Sequence, residues 1–183
     1  MKKLANKILR SRILNKPFGT LYLGLNKFYQ EMRYSGYRKT YNVAPSFIFN
    51  GPEISLYGPG KIELGEDSYI GRNSVLATLS PEHKIKIGKN CAISHYFVVY
   101  TQNRIPDQDF SVTPHKKEAD NVTIGDHCWI GIRVFIKHGV NIGNNCVIAA
   151  NSTVTKDVPD NSLVAGNPAK VIRKINQEKN SES

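Results

Sequence analysis

Several features that would each announce a function are scarce in this sequence. Its three cysteines, Cys91, Cys128 and Cys146, form no CxxC pair, which argues against a zinc set and suits a reducing compartment. No apolar run approaches the ~20 residues that a membrane-spanning helix needs. The basic N-terminal stretch lacks a signal-peptide core and cleavage site, so a cytoplasmic location is expected. Acids are rare where bases collect. Residues 1–41 hold ten Lys/Arg against one acid, Glu31, and so carry about nine of the ten surplus positive charges of the 183-residue chain. That asymmetry suits an anionic partner: a membrane surface, an acidic polymer or the acidic face of another subunit. No recognition motif accompanies it, so nucleic acid is not an expected partner.

What the sequence does contain is a repeat of six. From Ile124 to Val154 an aliphatic residue returns at every sixth position: Ile124, Ile130, Ile136, Ile142, Ile148, Val154. Gly or Ala follows it in four of the five complete repeats, and the fifth position is small: Cys128, Val134, Val140, Cys146, Ser152. Six is not a multiple of 3.6, so no single helix keeps these positions on one side. Three sixes make one turn of a triangular coil of short parallel strands, with every aliphatic position pointing to the axis. All three cysteines occupy fifth positions and are therefore expected inside, as small buried hydrophobes.

The rest of the chain is organised around that coil. Residues 1–45 are expected to be a basic helical extension with a partial apolar stripe at Leu4, Ile8, Ile13 and Leu14. Pro17-Phe18-Gly19 should break it before a second segment, Leu21 to Met32. A basic amphipathic helix of this kind can lie on an anionic membrane, or it can pack on the coil body or a neighbouring subunit. Imperfect sixes at Leu64-Gly65, Ile70-Gly71, Ile87-Gly88 and Ile93-Ser94 place the coil over residues 46–160. A loop at 102–121 interrupts it, and a break of that length is usually functional. Residues 161–183 are expected to be an extended segment followed by a short basic helix and a frayed end.

The hexads, followed by VTKDVPDNSLVAGNPAKVIRKI, resemble the hexapeptide-repeat acyltransferases, which are built on a left-handed parallel β-helix. The galactoside, maltose and polysaccharide O-acetyltransferase branch is the nearer match, over roughly residues 50–175. The resemblance implies an all-β fold, a homotrimer and acetyl-CoA as acyl donor, with active sites in the grooves between coils. It also implies donor-site residues. Trp129 matches a tryptophan bordering the transfer site, while Gly131 and Ala150 match positions that let the cofactor arm approach the backbone. Thr155 and Lys156 match positions at the pantetheine or adenine end, and Lys170 and Arg173 suit the nucleotide phosphates.

Transfer from a thioester to a hydroxyl or amine needs a base for the acceptor's proton and donors for the developing oxyanion. Histidine is the usual base. His95, in Ile93-Ser94-His95, resembles the I-small-H signature of the related sugar-nucleotide and lipid A acyltransferases. His115 lies in the loop, where it could enter a neighbour's groove. His127 occupies a fourth hexad position, a solvated corner, and His138 a third. The sugar O-acetyltransferases carry their histidine in a T-x-x-H or T-H-x-H stretch, and here that stretch reads Thr101-Gln102-Asn103-Arg104. The catalytic candidates are thus His95 and then His115, with Arg104, Asp107 and Asp109 as acceptor-binding candidates. Carbonic anhydrases of this coil use an H-x4-H pair, which is absent, and no metal is expected. The leading expectation is O-acetylation of a sugar or polysaccharide, in the cytoplasm or peripheral to the inner face of the membrane. N-acetylation of a nucleotide-linked amino sugar and a non-catalytic β-helix scaffold are the alternatives.

Overall fold

In the computed structural model the backbone of residues 12–175 is described, with side chains from Pro17 onward. The expected apolar positions Leu4, Ile8, Ile13 and Leu14 and the C-terminal tail lie outside that description in whole or in their side chains. Helix α1 (Arg12–Thr40) is continuous through Pro17, so the expected break does not occur. Proline's fixed φ is helical; its ring forgoes the hydrogen bond to the carbonyl four residues back and crowds that carbonyl, a cost the helix carries here without ending. Two compact units divide the chain, one ending at Tyr37 and one beginning at Arg38.

The second unit is a left-handed parallel β-helix of about five turns. Its first face stacks β1 (Asn42–Val43), β4 (Lys61–Leu64), β7 (Lys84–Ile87), β12 (Val122–Ile124) and β15 (Asn141–Ile142). The second face stacks β2 (Ile48–Asn50), β5 (Tyr69–Gly71), β8 (Ala92–Ile93), β13 (Trp129–Ile130) and β16 (Val147–Ile148), then β18 (Ser162–Gly166) and β19 (Ala169–Lys174). The third face stacks β3 (Ser55–Tyr57), β6 (Val75–Ala77), β9 (Val98–Tyr100), β14 (Phe135–Ile136) and β17 (Thr153–Val154). Register follows the hexad. Ile130 pairs with Ile93 and Ile148, Ile124 with Ile87 and Ile142, and Ile136 with Val99 and Val154. All nine side chains are buried, so each turn adds one aliphatic layer to an axial core.

The polar positions of the hexad build ladders along the edges. At the fourth position the backbone turns through the left-handed region in residues such as Asn73, Asn90, His127, Asn145 and Asn151, with φ between 52° and 58°. Asparagine tolerates that conformation best among residues with a side chain. At the fifth position Ser68, Cys91 and Cys128 donate to the carbonyls of Gly88, Gly125 and Gly143 on the next turn, at 2.8, 3.1 and 3.1 Å. The expected inward cysteines are therefore bonded as well as buried, and contact with Cys91, then burial, pushes the Cys128 thiol well up. A third ladder runs through side-chain oxygens. Asp126, Asn144 and Asp160 accept the backbone N–H of Lys89, Asp126 and Asn144 at 2.7–2.8 Å.

Three boundaries differ from expectation. The coil begins at Asn42, because β1 pairs with Glu63-Leu64 of β4. The loop 102–121 has an ordered stem, in which β10 (Gln102–Arg104) pairs antiparallel with β11 (Lys117–Ala119). Residues 169–174 form the strand β19, antiparallel to β18, where a short helix was expected. Val171 and Ile172 favour a strand, and Gly166-Asn167-Pro168 supplies the reversal before it.

Candidate active site

The residues singled out from the sequence fall on two edges of the triangular coil and on its second face. At the edge between the second and third faces, His95 is half-buried and its Nδ1 accepts the backbone N–H of Arg72 at 3.1 Å. The ring can lie there because Gly71 has no Cβ, which would stand 2.3 Å from Nδ1. A neutral imidazole whose Nδ1 lone pair is so engaged carries its proton on Nε2. In this geometry His95 presents a donor. One turn on, Gly131 and Ala150 abut, and a Cβ on Gly131 would lie 2.6 Å from the Ala150 nitrogen. Gly131 is therefore needed for the close approach of two turns, and Ala150 is the exposed member of the pair.

Trp129 projects from β13 and is 57 % exposed. Its row continues through Val147 and Leu163 to Arg173 across β16, β18 and β19, about 14 Å at the usual strand spacing. Lys170 lies further along β19, opposite Ala165, and both basic residues are exposed.

The other group stands at the edge between the third and first faces. Thr155 and Lys156 follow β17 there, exposed. A groove of about 550 Å³ is lined by Arg104, Pro106, Glu118, Phe135, Lys137 and Thr155, among others. Glu118 organises it. Its Oε1 takes a contact from Lys137 Nζ at 3.2 Å and from His138 Nε2 at 3.0 Å, and the lysine first, then the histidine, hold this carboxyl below its ordinary range. The His138 ring is nearly enclosed, and a carboxylate on one ring nitrogen is the arrangement that orients a histidine base. Sequence reading missed Glu118 and Lys137. Lys137 had a signal, since it follows Ile136 as Thr155 follows Val154. Glu118 had none, because the stem alone brings it to His138.

At the loop tip, His115 Nε2 donates to the Phe110 carbonyl at 3.0 Å with the two rings 5.2 Å apart. That tautomer leaves Nδ1 as the basic nitrogen. Gln108 braces the tip through Lys116 N–H at 2.6 Å and the Lys116 carbonyl at 3.0 Å. Asp109 is engaged by Ser111, whose hydroxyl and backbone N–H donate to it at 2.7 and 2.9 Å and lower its pKa. Asp107 and Arg104 are exposed. Among the described residues no grouping of three or more His, Cys, Asp or Glu side chains is placed to hold a metal.

The repeat and the fold have known counterparts. Residues 121–156 match the family model described as the hexapeptide repeat of succinyl-transferase. The chain is 40 % identical over 133 residues to a putative acetyltransferase, YJL218W, of Saccharomyces cerevisiae, covering 73 % of this chain and 65 % of that one. It is 37 % identical over 147 residues to the galactoside O-acetyltransferase of Escherichia coli, covering 73 % of this chain and 67 % of the relative. The chain thus spans about two thirds of the length of these curated relatives. Among solved structures, the hexapeptide-repeat acetyltransferase VCA0836 of Vibrio cholerae, complexed with acetyl coenzyme A, superposes with a TM-score of 0.71 at 29 % identity over 91 % of both chains. Repeat, sequence identity and fold agree, and the chain belongs to the hexapeptide-repeat acetyltransferase family.

Proposed function

We propose that this protein is an acetyl-CoA-dependent O-acetyltransferase that acts on a sugar or polysaccharide hydroxyl by direct transfer and works as a homotrimer. The observation that carries the proposal is the division of the candidate residues. Gly131, Ala150 and His95 stand at one edge of the coil with Trp129 on the adjoining second face; Thr155, Lys156, the groove and the loop stand at another edge. A single chain does not gather them, whereas a closed three-fold ring sets one edge of each subunit against the other edge of its neighbour. Trp129 and the basic residues of β19 are suited to the donor, and bound acetyl-CoA supplies an activated thioester.

Within that arrangement His115 is the general base. Its Nε2–H is committed to the Phe110 carbonyl, so Nδ1 is free to take the acceptor hydroxyl's proton. His95, with its proton on Nε2, is a hydrogen-bond donor suited to an oxygen that gains charge. Arg104, exposed at the groove, is placed to hold the acceptor. His138, oriented by Glu118, is the competing base.

Thiol release from acetyl-CoA, measured over a panel of sugar and amino-sugar acceptors, tests the activity, and mild alkali, which cleaves an ester but not an amide, separates O- from N-transfer. His115→Ala should lower kcat by about 10²–10⁴; if His138→Ala has that effect and His115→Ala does not, the base is reassigned. Co-expression of His95→Ala, which removes the proposed oxyanion donor, with His115→Ala tests the shared site. Two inactive variants on opposite edges should restore about a quarter of the wild-type sites in mixed trimers, and no recovery would refute a site built from two subunits.

A further inference from the structure

We propose that one face of α1 docks on an anionic lipid surface, with the helix lying in the plane of the headgroups. Phe18, Leu21, Leu25, Phe28 and Met32 recur at steps of three and four, with Tyr22 and Tyr29 beside them. At 100° per residue these side chains fall within an arc of about 120°. They are 58–67 % exposed, which is unusual for seven large apolar or aromatic groups on one stripe. No described helix is long and apolar enough to cross a membrane, so an apolar stripe of this width fits a surface rather than a span.

The occupant follows from charge. Ten Lys/Arg against one acid in residues 1–41 give each chain a local surplus of about nine. Lys27 lies opposite the apolar arc and Arg33 on its flank, as in helices that rest in a headgroup layer. A second copy of the helix could also cover the stripe, but the positions beside a two-helix seam hold Tyr22, Gly24, Tyr29 and Glu31, with no matched set of opposite charges to fix a partner. Each added copy would also bring its own positive surplus, whereas an anionic surface neutralises it. The two tyrosines reinforce the choice, since a ring with an apolar body and a polar tip is at home at headgroup depth.

Flotation of the full-length protein with vesicles tests this, comparing phosphatidylcholine alone with phosphatidylcholine doped with phosphatidylglycerol. The wild type should bind the doped vesicles about tenfold or more above the neutral ones, and binding should fall as salt is raised. Leu25→Glu/Phe28→Glu should abolish flotation, while Leu23→Gln, an exposed leucine outside the arc, should not. Equal binding to both vesicles would overturn the proposal, as would salt-independent binding. So would full binding by the double variant. If that variant instead loses its oligomeric state by light scattering, the stripe is an interface between copies, and the lipid reading fails.

Discussion

Gly71→Ala is the sharpest single test of how the His95 edge is built. Gly71 is not in the left-handed region, so alanine strains no backbone there; the obstacle is contact alone. The new Cβ would meet His95 Nδ1 at 2.3 Å, His95 N at 2.7 Å and the Ser94 carbonyl carbon at 2.8 Å. The ring can swing away, but the two backbone atoms cannot, and the nearer falls about 0.7 Å short of the 3.4 Å where ordinary contact begins. Relief requires the turns to separate, which stretches the 2.9 Å bond from Tyr96 N–H to the Arg72 carbonyl. Overpacking of this kind costs about 1–3 kcal/mol, and losing the Arg72 bond to Nδ1 adds about 1 kcal/mol. For a chain of this length the total of about 2–4 kcal/mol corresponds to a fall in Tm of about 5–15 °C. Thermal unfolding of the single variants and of Gly71→Ala/His95→Ala gives the coupling. Removing the ring should recover only the smaller part, because the backbone contacts remain. A Gly71→Ala protein that melts within about 1 °C of wild type would show that the edge is looser than its geometry implies.

The Glu118 cluster predicts a pH response with a definite sign. Its folded pKa lies below the ordinary 4.5, so its contribution to stability is fully present above 4.5 and is lost as pH falls through the folded value. Glu118→Gln should flatten that acid limb in a pH series of thermal melts, and an unchanged limb would assign it elsewhere. Trp129 is the chain's single tryptophan, and more than half of it is exposed, so its emission reports directly on the proposed donor site. Saturating acetyl-CoA should quench or blue-shift it, and Trp129→Ala should raise KM for acetyl-CoA by about tenfold. A spectrum unmoved by ligand would remove Trp129 from the site.

How much of this was legible in the sequence follows from the range of each interaction. The hexad from Ile124 to Val154 encodes a layered core, because every turn repeats the same contacts at the same offset, and the buried Ile and Val rows are those layers. The inward cysteines and the corner at His127 follow from position within the six. What escaped depends on pairings with no offset to detect. Asn42-Val43 reads as a linker until Glu63-Leu64 is laid beside it. The polar stem of the loop, Asn103 opposite Glu118, has neither alternation nor a tight turn to betray it. Residues 169–174 were ambiguous in another way, since a short run with lysines at both ends suits a helix surface or an edge strand until β18 supplies its partner. For the site, the family motif marked Arg104 as the place where a histidine is missing. The sequence could not tell that Glu118, Lys137 and Thr155 would share a groove with it.

The edge that carries His95 is also where the repeat's own rules are broken. Asn73, Tyr96, Arg133 and Asn151 occupy the same left-handed corner on successive turns. Asparagine holds that conformation with little strain, whereas tyrosine and arginine each do so at about 1–2 kcal/mol. Arg133 lies over the Tyr96 ring at 5.7 Å, and an exposed cation–π contact returns about 0.5–1 kcal/mol. The contact does not offset two strained corners, so folding alone does not account for the pair. The same two turns carry His95, Trp129 and Gly131, and the Arg133 N–H donates to the His95 carbonyl at 3.0 Å. Glu53 takes the same left-handed conformation one turn before Asn73, so non-asparagine corners recur along this edge; Tyr96 and Arg133 differ in standing on the two turns that bear the candidate chemistry, and their strain is a cost the regular coil carries there.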